Sequence, residues 1–293
     1  MSEQTEQREQ TEQTEQLTPA APPVPPQAPV QLPAPKDRRA LRAVLRWTSA
    51  VVVCAAVGAG AAYGITGMER TDVPGLATES DGRWDYPTLT RPPLPSGSPR
   101  PFAETNKAGT HHADLRALVL PAPKGATADK ALRGDDGWLA TKDFLAEYGQ
   151  QEDRDEFGQQ LVDQGLRHIA ARGWTTQDGT HTRIYLLRFN TAAVVDGLLA
   201  DGLAPMSSPR YELRGAEAAV YDEDFPEEAR QIGEIRPSVY AEVEPYGDEE
   251  VRQAYLPAGD VLGVIVQSRK GGEGGVRAVP FQQTVVLQSQ LLG

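Results

Sequence analysis

Four histidines, a single cysteine and two dense acid runs are the side chains with which this chain of 293 residues could do chemistry. His111-His112-x-Asp114 puts two imidazoles and a carboxylate close together, the ligand types a zinc ion takes, but no third spaced ligand accompanies them. A solvated helix start is the plainer expectation there. His168 and His181 flank a predicted hairpin as cross-strand neighbours, either a pH-sensitive pair or ordinary strand residues. The acid runs, Asp222-Glu223-Asp224 with Glu227-Glu228 and Asp248-Glu249-Glu250, lack the D-x-[DN]-x-[DN]-G spacing of a calcium loop. They read as loosely divalent-binding or simply solvated.

Other chemistry fails on motif or position. No serine sits in G-x-S-x-G, and Cys54 lies within an apolar run where it cannot serve as a nucleophile. The stretch from Lys270 through Gly275 lies between a strand pattern and a helix pattern, as phosphate loops do. It lacks G-K-[ST] and G-x-G-x-x-G, and Glu273 would repel phosphate, so a connector is expected. Trp138 and Trp174 either line a carbohydrate or peptide groove or pack inside. The expectation is therefore no catalytic, metal-ligating or cofactor-binding residue, and no cofactor.

What must position everything else is the uncharged stretch Trp47–Met68. At about 1.5 Å per residue its length reaches roughly 33 Å, enough for a hydrocarbon core of about 30 Å. A single transmembrane helix is predicted, with Trp47 and Tyr63 toward its ends as interfacial rings. Arg38, Arg39, Arg42 and Arg46 precede it, and Arg38, Arg42 and Arg46 share one helical face toward anionic lipid. Acids dominate after it. The positive-inside bias predicts a cytoplasmic N-terminus and an extracytoplasmic C-terminal part in the plasma membrane. The residues before the span and the lack of an A-x-A site argue against a cleaved signal. Val53 before Cys54 argues against a lipoprotein signal. Ala56-x-x-x-Gly60-x-x-x-Gly64 fits the small-residue packing motif, so a homodimer through this face is the oligomer the spacing allows.

Four regions follow. Residues 1–46 form a tail of Glu-Gln triplets and then a Pro-rich stretch that cannot bury a core, either a spacer or a docking site for a proline-reading domain. Residues 47–68 are the span. Residues 69–105, Pro-rich with RPPLPSGSPRP at 91–101, are predicted to be an extended tether. Residues 106–293 are the folded domain. The net charge of −12 falls entirely beyond the span, which argues against nucleic acid as a partner. The lone cysteine leaves that domain no intrachain disulfide, so core burial must hold it.

Within the domain, 167–176 and 181–190 read as a hairpin across Asp178-Gly179. Its second strand is apolar on both sides, Tyr185, Leu187 and Phe189 against Ile184 and Leu186, and should be interior. Thr141 is predicted to cap one helix, Asp153-x-x-Glu156 to form a capping box for another, and Asn190 or Thr191 to start a third that ends at Gly202. Strands are expected near 216–222, 238–243, 250–256 and 260–269, the last one central. Pro280 suits the first turn of a C-terminal helix, with a strand at 284–291 as the alternative. The fold class expected is α+β, an antiparallel sheet with helices on one face.

RALVLPAPKG (116–125), RGWTTQDGT (172–180) and SRKGGEGGVRAVPFQQTVVLQSQLLG (268–293) resemble segments of uncharacterised actinobacterial single-pass membrane-anchored proteins with an extracytoplasmic α+β domain. That resemblance implies an envelope location and carries no site residue. Anchor, spacer and domain together read as a membrane-tethered extracytoplasmic binding or interaction module without catalysis. Its expected partners are the lipid bilayer and an envelope protein or ligand. An envelope hydrolase built on a carboxylate pair and a signalling component that recruits a partner through the tail are the alternatives.

Overall fold

A computed structural model describes residues 39–66, 80–216, 218–270 and 275–293, with the side chains of 39, 40 and 60–66 left undescribed. The readings of residues 1–38, Arg38 among them, of 67–79 and of 271–274 lie outside the described residues, as does the side chain of Arg39. The chain divides into two compact units, Met1–Ala77 and Thr78–Gly293.

In the first unit, helix α1 runs unbroken from Arg39 to Thr66. It starts before the predicted Trp47, so Arg42 and Arg46 occupy its first turns, and Ala56, Gly60 and Gly64 lie on it as well. Between Leu41 and Ala59 it is long and apolar enough to cross a membrane, and that window is wholly exposed. Its hydroxyls are bonded locally, Thr48 Oγ1 donating to the Val44 carbonyl and Ser49 Oγ to that of Arg46. That removes the cost of leaving them unpaired in an apolar medium.

The second unit is built on one antiparallel sheet of seven strands, in the order β1-β2-β3-β7-β6-β5-β4. They are β1 (Thr127–Asp129), β2 (His168–Thr175), β3 (His181–Arg188), β4 (Ala219–Tyr221), β5 (Ser238–Glu242), β6 (Glu249–Ala258) and β7 (Val261–Lys270). The helices are α2 (Leu115–Leu118), α3 (Thr141–Leu145), α4 (Gln151–Asp163), α5 (Ala192–Ala200) and α6 (Ala278–Leu292). The two most apolar strands, β3 and β7, pair at the centre with Ile184 opposite Ile265. The C-terminal segment is a helix, with Pro280 in its first turn, where a missing N–H costs nothing.

Alternation along the central strands sends apolar side chains to both faces, so both must be covered. Ile184, Leu186, Ala254, Leu256 and Ile265 pack with Phe281 and Val285 of α6. Tyr185, Leu187, Tyr255, Val264 and Val266 pack on the opposite side with Phe144, Phe157, Leu161, Val195 and Leu198 of α3, α4 and α5. The expected arrangement with helices on one face is therefore corrected to helices on both.

The hairpin forms, but its loop is longer than a tight two-residue turn, pairing ending at Thr175 opposite His181. Asp178 closes it, accepting from Thr176 Oγ1 (2.6 Å) and the Thr180 N–H (3.1 Å), while Gly179 takes φ +84°, which suits glycine. Burial opposes the Asp178 charge, but the bonds from Thr176 and Thr180 outweigh it and hold the carboxyl below its ordinary value. Asp178→Ala removes two such bonds and is expected to cost about 1–2 kcal/mol, read as a lowered urea midpoint.

Two predicted caps shift. Thr141 is the first helical residue of α3 behind an Ala140 cap, and Asp153 and Glu156 lie inside α4 behind Gln150. The α4 entrance is held instead by Arg154, whose Nη1 donates to the Tyr148 and Gly149 carbonyls (2.7 and 2.8 Å).

The proline-rich segment read as a tether up to residue 105 is, from residue 80 on, part of the folded unit. Tyr86, Leu89 and Phe102 pack on the α6-side core. Gln283 of α6 clasps Trp84 by both amide atoms, accepting from its N–H (2.8 Å) and donating to its carbonyl (2.9 Å). Gln288, further along α6, does the same between the Leu120 N–H and the Leu118 carbonyl. The extended strap thus lends its backbone to helix side chains where a sheet would use a strand.

Candidate functional site

Among the described residues, a closed set of interacting titratable groups starts at the short edge strand β1. Asp129 Oδ2 meets His181 Nε2 at 3.1 Å, and Arg183 Nη1 meets His181 Nδ1 at 2.9 Å. Arg183 Nε then donates to Glu147 Oε2 (2.9 Å), and the Tyr185 hydroxyl donates to Glu147 Oε1 (2.7 Å). His181, Arg183 and Tyr185 alternate along β3 and so share a face. Glu147 reaches them from just beyond α3, and Gly173, opposite Asp129, leaves room for the Leu132 side chain and for Asp129.

Arginine cannot accept a hydrogen bond, so His181 Nδ1 must be the acceptor and its proton sits on Nε2, donated to Asp129. The imidazole is held neutral in one tautomer. Burial, with the Arg183 charge second, pushes its pKa below the ordinary histidine value, against a smaller upward pull from Asp129. Burial and then Glu147 push the Tyr185 phenol well upward, so it stays a donor. Asp129 Oδ1 is taken by the Ala131 N–H (2.9 Å), and both Glu147 oxygens are occupied. Ser268 Oγ accepts from Arg183 Nη1 (3.0 Å), which places a guanidinium where a serine nucleophile would need its base.

The depressed His181 pKa fixes a pH dependence. The unfolded chain, with histidine near about 6.5, binds this proton more readily than the folded one. The stability contribution is therefore complete above that pH and falls as the pH drops through the window toward the lower folded value. His181→Gln, able to donate and accept without titrating, is expected to flatten the fall. The difference between the two proteins' urea midpoints at pH 7.5 and 5.5 isolates it from the other histidines.

Beside this network, β1 pairs only with residues 173–175 of β2. The Leu139 N–H takes the Ile169 carbonyl (2.8 Å), which leaves a notch between the two contacts. A cavity of about 220 Å³ fills it, lined by Arg116, Arg133, Arg172, Asp129, Gly137 and Gly173. Arg116 is fixed by Asp114 through Nε (3.0 Å) and Nη2 (2.8 Å), by the Asp136 carbonyl (2.8 Å), and lies over the Trp138 ring at 5.0 Å. Its hydrogen bonds hold the Asp114 carboxyl below its ordinary value.

The other sequence candidates are dispersed. His111 is buried and saturated: Nδ1 meets Asp260 Oδ1 at 2.7 Å, Nε2 meets the Leu292 carbonyl at 2.9 Å, and Arg188 also bonds Asp260. It bolts the segment before α2 to the β6–β7 turn, which corrects the solvated helix start expected at His111. His168 lies opposite Arg188 and His181 opposite Thr175, at the two ends of the hairpin, so the expected histidine pair does not form. Trp174 is fully buried against Tyr86, and Trp138 stacks on His168 at 4.6 Å, so the two tryptophans form no common groove. Asp222 is paired with Arg252 (3.1 Å). Among the described residues no three His, Cys, Asp or Glu side chains converge as metal ligands. The sequence named His181 but not Asp129, Glu147 or the three arginines, which become neighbours only once strands, short helices and loops are packed together.

Comparison with known protein families finds no matching family model. Comparison with curated proteins likewise finds no match.

Proposed function

We propose that the protein is a membrane-tethered extracytoplasmic binding module, non-catalytic, anchored in the plasma membrane by α1 with its N-terminus in the cytoplasm. The anchor is supported by the exposed apolar window Leu41–Ala59, and the orientation by Arg42 and Arg46 at its N-terminal end against the acids that follow the span. The bilayer is one partner and an envelope component the other. Ala56, Gly60 and Gly64 are the face through which two copies would associate.

The observation that carries the absence of catalysis is the closure of the network. Each oxygen of its two carboxylates and each nitrogen of its imidazole is bonded to a neighbour, and the displaced carboxyls, Asp114 and Asp178, move downward. A hydrolase acid needs the opposite, a carboxyl raised toward neutrality beside a second, free one.

The test incubates purified full-length protein, in neutral detergent, with isolated cell envelope. Saturable retention without release of soluble fragments is the expected result. Release of fragments above a heat-killed control would overturn the non-catalytic reading, and absence of retention would overturn the binding reading.

A further inference from the structure

Arg172 is the anomaly beside the network. It sits on β2, half-buried, and the one hydrogen bond of its guanidinium to the described residues runs from Nη1 to the Val119 carbonyl (2.6 Å). No carboxylate pairs with it among the described residues, and burial alone pushes its guanidinium below the ordinary arginine value. Removing a cation from water without a counter-charge is costly. The remaining lining sharpens the imbalance. Arg133 is exposed, and its guanidinium has no hydrogen bond or ion pair with any described residue. Arg116 keeps its ion pair with Asp114, and Asp136 lies at 3.8 Å from it. The single carboxylate in the lining, Asp129, is already spent on His181 and the Ala131 N–H.

We propose that the notch bounded by Arg116, Arg133 and Arg172 binds a phosphate-type oxyanion group. A carboxylate offers two oxygens and is satisfied by one guanidinium. Arg133 and Arg172 together leave more free N–H donors than that, and a tetrahedral oxyanion carries the oxygens and charge to use them. A cavity of about 220 Å³ holds such a group with a short substituent, so recognition is of a phosphate end or headgroup and not of a whole polymer. The ion pair with Asp114 and the Trp138 ring fix Arg116 in place beforehand, which lowers the ordering cost of binding. This rests on the reading of the protein as a binding module and names the chemistry of its ligand.

Calorimetry on the full-length protein in neutral detergent, in buffer free of other oxyanions, tests it with three soluble probes: inorganic phosphate, glycerol 3-phosphate and glycerophosphoglycerol. Saturable binding of at least one is expected, weakened by added salt and by about tenfold or more in Arg133→Gln and Arg172→Gln. The preferred probe tells free phosphate from a monoester or a diester headgroup. Arg133 is exposed, so its variant keeps the fold even if Arg172→Gln does not. Absence of saturable binding for all three probes, or binding unchanged in Arg133→Gln and in any folded Arg172→Gln, overturns the proposal. Should that occur while envelope retention persists, the ligand class falls and the binding module stands. Loss of retention removes both.

Discussion

Replacing Glu147 by Ala is expected to destabilise the folded unit by about 3–5 kcal/mol, the cost of removing one partner from a buried ion pair. The side chains of Arg183 and Glu147 are only 13% and 11% exposed, so water cannot take over the lost bonds. The truncation leaves the Arg183 guanidinium without its carboxylate and the Tyr185 hydroxyl, whose ring packs on Phe144, without its acceptor. Glu147→Gln keeps an acceptor for Tyr185 and should lose less. Tyr185→Phe removes one hydrogen bond and should cost about 1 kcal/mol. Because the three side chains act as one unit, Glu147→Ala with Tyr185→Phe is expected to cost less than the sum of the two. Urea unfolding of the full-length protein in neutral detergent, followed by tryptophan fluorescence, reads all of these.

Trp174→Ala is the second large effect, also about 3–5 kcal/mol, since it removes the largest fully buried side chain and leaves a cavity. Its location makes the consequence specific. The indole meets Tyr86 edge-on, with ring centroids 6.3 Å apart, so it is the surface on which the strap lies. The strap is also held there by the pair of Gln283 bonds to Trp84, by the Tyr86 hydroxyl against Thr284 Oγ1 at 3.1 Å and by the Lys124 N–H to the Asp85 carbonyl at 2.7 Å. Limited proteolysis should therefore cut the variant between residues 80 and 105 faster than elsewhere in the unit. A fall in stability with an unchanged cleavage pattern would mean that the strap is held without Trp174.

Local patterns were readable wherever period and punctuation agree. The strand–turn–strand around Asp178-Gly179 and the central position of β7 were legible because alternation and a turn residue point the same way. Two-sided cover was legible as well: Ile184 and Leu186 against Tyr185 and Leu187 already require an apolar layer on each face. That requirement is incompatible with helices on one side only. The strap was hidden by its prolines, which impose an extended backbone whether the segment is docked or free. Its signal was the apolar spacing of Trp84, Tyr86, Leu89 and Phe102 among them. The site was the least legible part. Asp129 lies 52 positions from His181, and Glu147 lies 36 from Arg183, and nothing local in the sequence marks those pairings. The notch exists because β1 stops after three residues, a boundary set by tertiary packing and not by local propensity.

The central claim is that the unit beginning at residue 78 lies outside the cell, behind an anchor formed by α1. With the native cysteine removed as Cys54→Ser, a reporter cysteine is placed in the exposed hairpin turn as Gln177→Cys and, in a second protein, in the tail as Gln10→Cys. A membrane-impermeant maleimide is then applied to intact and to lysed cells. The account predicts that the turn reporter reacts in intact cells and the tail reporter only after lysis. A turn reporter that is silent until lysis would contradict it.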